Sequence, residues 1–163
     1  MAKVLVVDDE PDYRSQLKSL LTAEGYQVET AEDGVRAIEL ARAFRPDVLV
    51  ADWMLRSSRH GIQVCESLRH TLPSLVTILI TGYPTEQLRA DAARAAVFAF
   101  LEKPFEADEL RDAVKRVDQH TADVCVEGCH RVNFEVAHLL RRQPHWIIRA
   151  QNFAQGVLMI ERD

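Results

Sequence analysis

No stretch of the sequence contains the roughly 20 consecutive apolar residues that a membrane-spanning helix requires. A secretory signal is also missing, since Met1-Ala2-Lys3 leads directly into a short apolar run. The three cysteines are odd in number and too few for a disulfide framework, which is typical of a reducing compartment. From these absences we expect a cytoplasmic protein that does not span a membrane.

Positive charge is not in excess either. The 20 lysines and arginines are outnumbered by 25 aspartates and glutamates, which gives a formal net charge of −5. Phosphate backbones bind to basic patches, so nucleic acid is not the partner we expect. Hydrophobic residues make up 47% of the 163 residues and charged residues 28%, which is enough apolar material for a buried core and argues against global disorder.

Strand and helix signals alternate five times over residues 1–120. Strands are predicted at 3–8, 27–31, 47–52, 75–81 and 97–102, and all of them except the short second one are apolar runs. Segments with apolar residues at helical spacing follow them, at 11–24, 34–44, 61–70, 85–96 and 106–120. This alternation, with short connections, predicts an α/β fold with a doubly wound parallel sheet that helices cover on both faces.

Charged side chains follow three of the five predicted strands. Asp8 and Asp9 end the first, Asp52 the third and Lys103 the fifth. Ligands of open parallel sheets bind beyond the carboxyl ends of the strands, so these side chains are expected to converge there. Clustered carboxylates repel and raise one another's pKa unless a divalent cation such as Mg²⁺ lies among them. The alternative is that the aspartates are helix N-caps and the lysine a solvated surface residue.

These residues, together with Thr81 after the fourth strand, resemble the receiver domain of two-component response regulators, a CheY-like domain, over about residues 3–119. The resemblance implies a flavodoxin-like five-stranded sheet in the order 2-1-3-4-5. In that order the switch point, where the strand order reverses, falls between the first and third strands. Residues 1–120 are therefore interpreted as a receiver domain.

The resemblance also implies a role for each residue of the pocket. Asp52 would accept a phosphoryl group, and Lys103 would pair first with that carboxylate and then with a phosphoryl oxygen. Mg²⁺ would be held by Asp8, Asp9, Asp52 and the backbone carbonyl of Met54. The chain would catalyse its own phosphotransfer and dephosphorylation and would not be an enzyme with a separate substrate.

Two further residues would carry the signal out of the pocket. Thr81 would hydrogen-bond the phosphoryl group, and Phe100 on the fifth strand would change its packing in response; a plain core aromatic is the alternative for Phe100. Receivers of this kind also turn after the lysine through a cis bond, here Lys103–Pro104. The expected partners are a sensor histidine kinase or histidine phosphotransfer protein and a downstream protein target. A phosphorylation-independent interaction module is the alternative function.

The loop after the third strand departs from the family pattern. Arg56 and Arg59 lie close in sequence to Asp52. One interpretation is that they attract an anionic phosphodonor, and the alternative is that they are solvated surface residues.

Residues 121–163 match no motif that we recognise. A helix over 133–142 and a hairpin of strands 146–150 and 157–161 are predicted, which makes a small α+β extension. With about 43 residues, the segment lies near the lower size limit for folding alone. It also has many apolar residues whose exposure to water would be unfavourable. We therefore expect an interaction or dimerisation element, and a homodimer formed through residues 121–163.

Two other interpretations of this extension stay open. Cys125, Cys129 and His130 could hold a metal ion, although their spacing is irregular for zinc and free cysteines are the alternative. A minimal DNA-binding tail would make the chain a transcription regulator, but acidic and basic residues balance in this segment.

Overall fold

The computed structural model describes residues 1–55, 61–123, 130–133, 146–149 and 157–162. The chain forms two compact units, Met1–Val117 and Asp118–Asp163. Arg56, Arg59, Cys125 and Cys129 lie outside the described residues. Within the part of the chain that is described, no helix combines the length and hydrophobicity needed to cross a bilayer.

Strands and helices alternate along the first unit. The strands are β1 (Lys3–Val7), β2 (Gln27–Ala31), β3 (Val48–Asp52), β4 (Val76–Thr81) and β5 (Ala99–Glu102). The helices are α1 (Pro11–Ala23), α2 (Gly34–Phe44), α3 (Gly61–Thr71), α4 (Glu86–Arg94) and α5 (Ala107–Asp123), the last of which extends beyond Val117.

The five strands form one parallel sheet in the order β2-β1-β3-β4-β5. The predicted doubly wound α/β fold and its strand order are therefore confirmed. β1 lies between β2 and β3, and Val4 is in register with both Val28 and Val48. The direction of winding reverses at β1, so the crevice expected for a ligand lies at the carboxyl ends of β1 and β3.

Alternate strand residues fill a separate core layer on each face of the sheet. The first layer joins the strands to α1 and α5 through Val4, Val6, Val48, Val50, Leu17, Leu21, Leu110 and Val114. The second joins them to α2 and α3 through Leu5, Val7, Leu49, Ala51, Ala37, Ala41, Val64 and Leu68. Both faces of the sheet are buried, which explains why β1, β3 and β4 are nearly continuous apolar runs, whereas the edge strand β2 has exposed residues.

Local signals set several of the helix ends. Pro11 stands in the first turn of α1, where its missing N–H costs nothing. The side chains of Asp33 and Thr85 cap α2 and α4 by accepting backbone N–H groups at 2.8 and 3.0 Å. α4 ends at Arg94 rather than at Ala96 as predicted, because Ala96 adopts a left-handed φ of 52°.

The second unit contains a three-stranded antiparallel sheet in the order β6-β8-β7. Its strands are β6 (His130–Asn133), β7 (Trp146–Arg149) and β8 (Val157–Arg162). The antiparallel pairing of β7 with β8 agrees with the predicted hairpin. Asn133 was expected to begin a helix and is instead the last residue of β6, so the prediction is wrong there. Residues 134–142 of that predicted helix lie outside the described residues.

Candidate functional site

Three carboxylates meet at the carboxyl ends of β1 and β3. Asp8 and Asp9 follow β1, and Asp52 is the last residue of β3. Carboxylate oxygens of the three residues lie within 4.8 Å of one another. The predicted convergence of these aspartates is therefore observed in the structure.

The side chain of Lys103 reaches the same point from the end of β5. Its Nζ donates hydrogen bonds to Asp52 Oδ2 at 2.6 Å and to Asp8 Oδ2 at 3.0 Å. The Lys103 backbone N–H donates to the Thr81 carbonyl at 2.7 Å, which ties the end of β5 to that of β4. The Lys103–Pro104 bond is cis, as expected.

Both carboxylate oxygens of Asp52 are engaged. Oδ2 accepts from Lys103, and Oδ1 accepts the backbone N–H of Met54 at 2.9 Å. The backbone of Asp52 lies against the first residue of α3, since a Cβ added at Gly61 would lie 2.4 Å from the Asp52 carbonyl oxygen. A glycine at the start of α3 therefore lets that helix approach the end of β3 closely.

Burial and pairing act in opposite directions on the charges of this pocket. Asp8 is 1% exposed, and burial raises its pKa although the N–H of Glu10 and the Lys103 ammonium favour the ionised form. Burial alone would lower the pKa of Lys103, but hydrogen bonds to Asp52 and Asp8 outweigh it and the pKa is raised. The lysine is thus a cation at neutral pH.

The alternative that Asp8 is an ordinary helix cap does not fit the structure. The N-cap of α1 is Glu10, which makes no side-chain cap. Asp8 Oδ1 accepts the Glu10 N–H at 2.8 Å, so this carboxylate shapes the loop before the helix. The other oxygen of Asp8, Oδ2, accepts a hydrogen bond from Lys103 Nζ.

Thr81 and Phe100 lie on the neighbouring strands β4 and β5. Thr81 is fully buried, and its Oγ1 accepts the backbone N–H of Tyr83 at 3.1 Å. Phe100 is half-buried and packs against a third core cluster of α3, β4 and α4 residues. The guanidinium carbon of Arg89 lies 5.2 Å from the centre of its ring, and Arg89 also forms an ion pair with Glu102.

Two residues of the pocket were missed by the sequence analysis. The Tyr13 ring centre lies 4.1 Å from Lys103 Nζ, and Arg14 donates to the Asp8 carbonyl oxygen at 2.6 Å. Both belong to the first turn of α1, directly after the Asp8-Asp9 loop. Pro11 marks where that turn begins, but no signal in the sequence indicates that the turn contacts Lys103 and Asp8.

The donor set of this pocket fits a hard divalent cation. Its three side chains are all carboxylates, and oxygen donors of this kind suit Mg²⁺ rather than soft metals that prefer thiolates. The Lys103 ammonium reduces the negative charge of the cluster. It has no lone pair, so it does not occupy a coordination position of the metal.

Curated proteins similar to this chain include response regulators. The response regulator MprA of Mycobacterium ulcerans is 38% identical over 108 residues, which cover 66% of this chain and 46% of that protein. The chain spans about half the length of the curated relatives it matches.

Solved structures give the same result. The response regulator protein TrrA from Thermotoga maritima, solved in complex with Mg²⁺-BeF, is 33% identical with a TM-score of 0.64 over 72% of this chain and 99% of that one. The Vibrio cholerae chemotaxis protein CheY4 is 28% identical with a TM-score of 0.67 over 72% and 98%.

The family model of the response regulator receiver domain matches residues 4–115, which include every residue of the pocket described above. The chain therefore belongs to the response regulator receiver domain family of two-component systems.

Proposed function

We propose that the chain is a phosphorylation-activated signalling switch that accepts a phosphoryl group on Asp52. The observation that carries this proposal is the convergence of three carboxylates and one ammonium at the carboxyl ends of β1, β3 and β5. Asp52 is assigned as the acceptor because its strand is central in the sheet, and because Lys103 Nζ lies closer to its carboxylate, at 2.6 Å, than to that of Asp8, at 3.0 Å.

Asp8, Asp9, Asp52 and the backbone carbonyl of Met54 are proposed to hold Mg²⁺. Receiver domains bind this ion at an acidic pocket, and the three carboxylates here lie close enough to share one cation. When bound, Mg²⁺ neutralises charge on the acceptor and the donor and orients the phosphoryl oxygens. The relative TrrA was solved in complex with Mg²⁺-BeF, which supports Mg²⁺ as the ion.

The transfer step is a displacement at phosphorus. An oxygen of Asp52 forms a bond to the phosphorus of a phosphohistidine while the phosphorus–nitrogen bond breaks. The imidazole leaves with the electron pair of that bond, and Asp52 becomes an aspartyl phosphate. Lys103 pairs with the Asp52 carboxylate before transfer and with a phosphoryl oxygen afterwards, where its compact ammonium suits a point charge.

Output is proposed to begin at Thr81. Its hydroxyl accepts the Tyr83 N–H in this structure, so turning toward a phosphoryl group would release that bond and move the following loop. Phe100, half-buried at the edge of its cluster, then takes a second packing position. The new dianion thus alters the surface of α4, β5 and α5, where a downstream protein binds.

The proposed partners are a sensor histidine kinase or histidine phosphotransfer protein, a downstream protein and a second copy of the chain. Residues 1–120 would serve as the receiver and residues 121–163 as the interaction element.

Phosphoryl uptake tests the acceptor. The full chain is incubated with acetyl phosphate and Mg²⁺, and its intact mass is compared with that of Asp52→Asn. We expect one phosphoryl group on the unsubstituted chain and none on the variant. Asp47→Asn is the matched control, because Asp47 is exposed and directly precedes the same strand. An equal rate of uptake by Asp52→Asn would exclude Asp52 as the acceptor.

A further inference from the structure

The Lys103 ammonium is held on three sides. Two of its contacts are the hydrogen bonds to Asp52 and Asp8. The third is the face of the Tyr13 ring, whose centre lies 4.1 Å from Nζ. A ring at that distance attracts the cation through its quadrupole and excludes water from that side.

The Tyr13 ring is itself fixed in place. It packs against the core layer between the sheet and α1, and meets Phe105 edge to face with ring centres 6.1 Å apart and planes at 81°. Phe105 follows Lys103 by two residues, so the ring contacts the segment that carries the lysine. Arg14, next to Tyr13, donates to the Asp8 carbonyl oxygen at 2.6 Å and ties the same turn to β1.

This support matters because lysine is flexible. Its four-carbon stem and rotatable ammonium lose conformational freedom when they adopt one position. The Lys103 side chain is 20% exposed, so water could compete for the ammonium on any side that protein groups leave uncovered. Burial raises the pKa of Tyr13 to about 12, so the ring stays a neutral phenol at physiological pH.

We propose that Tyr13 is a positioning residue for phosphotransfer, whose ring holds the Lys103 ammonium where it meets Asp8 and Asp52. The inference rests on the proposed role of Asp52 as acceptor. Tyr13 touches neither the acceptor nor the donor in this account and acts through Lys103. The structure assigns the effect to the ring face, not to the hydroxyl group.

The test compares phosphorylation rates of full-length variants with acetyl phosphate and Mg²⁺. Tyr13→Phe keeps the ring and should react within about twofold of the unsubstituted chain, whereas Tyr13→Leu should react roughly three- to tenfold more slowly. Tyr26→Leu is the matched control and should leave the rate unchanged. Tyr26 packs against the same core layer but precedes β2, at the opposite edge of the sheet from Lys103.

A second comparison separates positioning from a structural effect. In the Lys103→Ala background, Tyr13→Leu should change the rate by less than about twofold, because the cation it acts through is gone. If the variants that carry Lys103→Ala react too slowly to follow, the same proteins are compared by their affinity for beryllofluoride in the presence of Mg²⁺. Thermal unfolding checks each variant for folding, and Tyr13→Met replaces Tyr13→Leu if the latter does not fold.

The outcomes are distinct. An equal loss with Tyr13→Leu in both backgrounds, no loss in either, or a Tyr13→Phe variant as slow as Tyr13→Leu would each overturn the role of the ring. Uptake that persists in Asp52→Asn would instead overturn the proposed acceptor. Loss of uptake in Asp52→Asn together with an unchanged Tyr13→Leu would refute the Tyr13 inference alone.

Discussion

At the scale of single residues, Lys103 compensates two buried carboxylates. Asp8 is 1% exposed and Asp52 7%, and both accept a hydrogen bond from the same ammonium. Removing one partner of a buried ion pair leaves the other charge without compensation, which is strongly destabilising. A bound divalent cation would supply part of the missing compensation.

Lys103→Ala should therefore lower the free energy of unfolding by about 2–4 kcal/mol in the absence of divalent cations. Added Mg²⁺ should recover part of this loss, because an ion that binds only the folded state stabilises it. Urea unfolding with and without Mg²⁺ measures both effects, and Lys18→Ala, at an exposed position of α1, is the control. Equal stability of Lys103→Ala and Lys18→Ala without Mg²⁺ would contradict this account.

The carboxylates and the lysine of the pocket could be predicted from the sequence, whereas Tyr13 and Arg14 could not. Asp8, Asp52 and Lys103 each end an apolar run, and parallel strands bring such ends to one edge of a sheet. The contact between Tyr13 and Lys103 joins the first turn of α1 to the segment after β5. No local pattern encodes that contact, because it depends on how a helix packs across the sheet.

At the scale of secondary structure, α4 and β5 form the candidate switch. Arg89 of α4 lies over the Phe100 ring and forms an ion pair with Glu102, so one side chain contacts β5 at two points. These contacts stabilise the packing of Phe100 that the structure shows. A second packing would have to lose at least the contact between the guanidinium and the ring.

Arg89→Ala should make that second packing easier to reach. The packing of Phe100 and the binding of beryllofluoride are coupled equilibria, and such coupling is reciprocal. The variant should therefore bind beryllofluoride with Mg²⁺ roughly two- to fivefold more tightly. Tryptophan fluorescence can follow the titration, because Trp53 packs in the same cluster as Phe100. Arg36→Ala is the control, since Arg36 and Glu39 form an exposed ion pair on α2. Unchanged or weaker binding by Arg89→Ala would argue against a restraining role.

The strand bounds of the parallel sheet were predicted closely except at the start of β5. β1 and β3 were each predicted to within one residue, whereas β5 begins at Ala99, two residues later than expected. The alanine-rich segment before it favours helix throughout, so its sequence does not indicate the left-handed turn at Ala96. β6 was missed because four residues are too few for a recognisable alternation.

At the scale of the whole molecule, the second unit is the candidate interaction element. Among its described strands, β6 and β7 each pair with β8 on one side, and their other edges are where further strands could add. A sheet of three short strands gains little stability alone. Pairing with a second copy of the chain would bury apolar residues that this segment has in excess.

The full chain should therefore sediment as a dimer, and a chain that ends at Asp123 as a monomer. Asp123 is the correct end point because α5 continues to it, so a truncation at residue 120 would cut the last turn of that helix. Sedimentation equilibrium over a range of concentrations measures both masses. Monomer masses for both chains would rule out the dimer.

The central claim is that Asp52 carries the phosphoryl group. Sodium borohydride reduces an aspartyl phosphate to homoserine, and peptide mass mapping then locates that residue in the full chain after reaction with acetyl phosphate and Mg²⁺. The account predicts homoserine at position 52, with Asp8 and Asp9 unmodified. Homoserine at position 8 or 9 with Asp52 intact would contradict it.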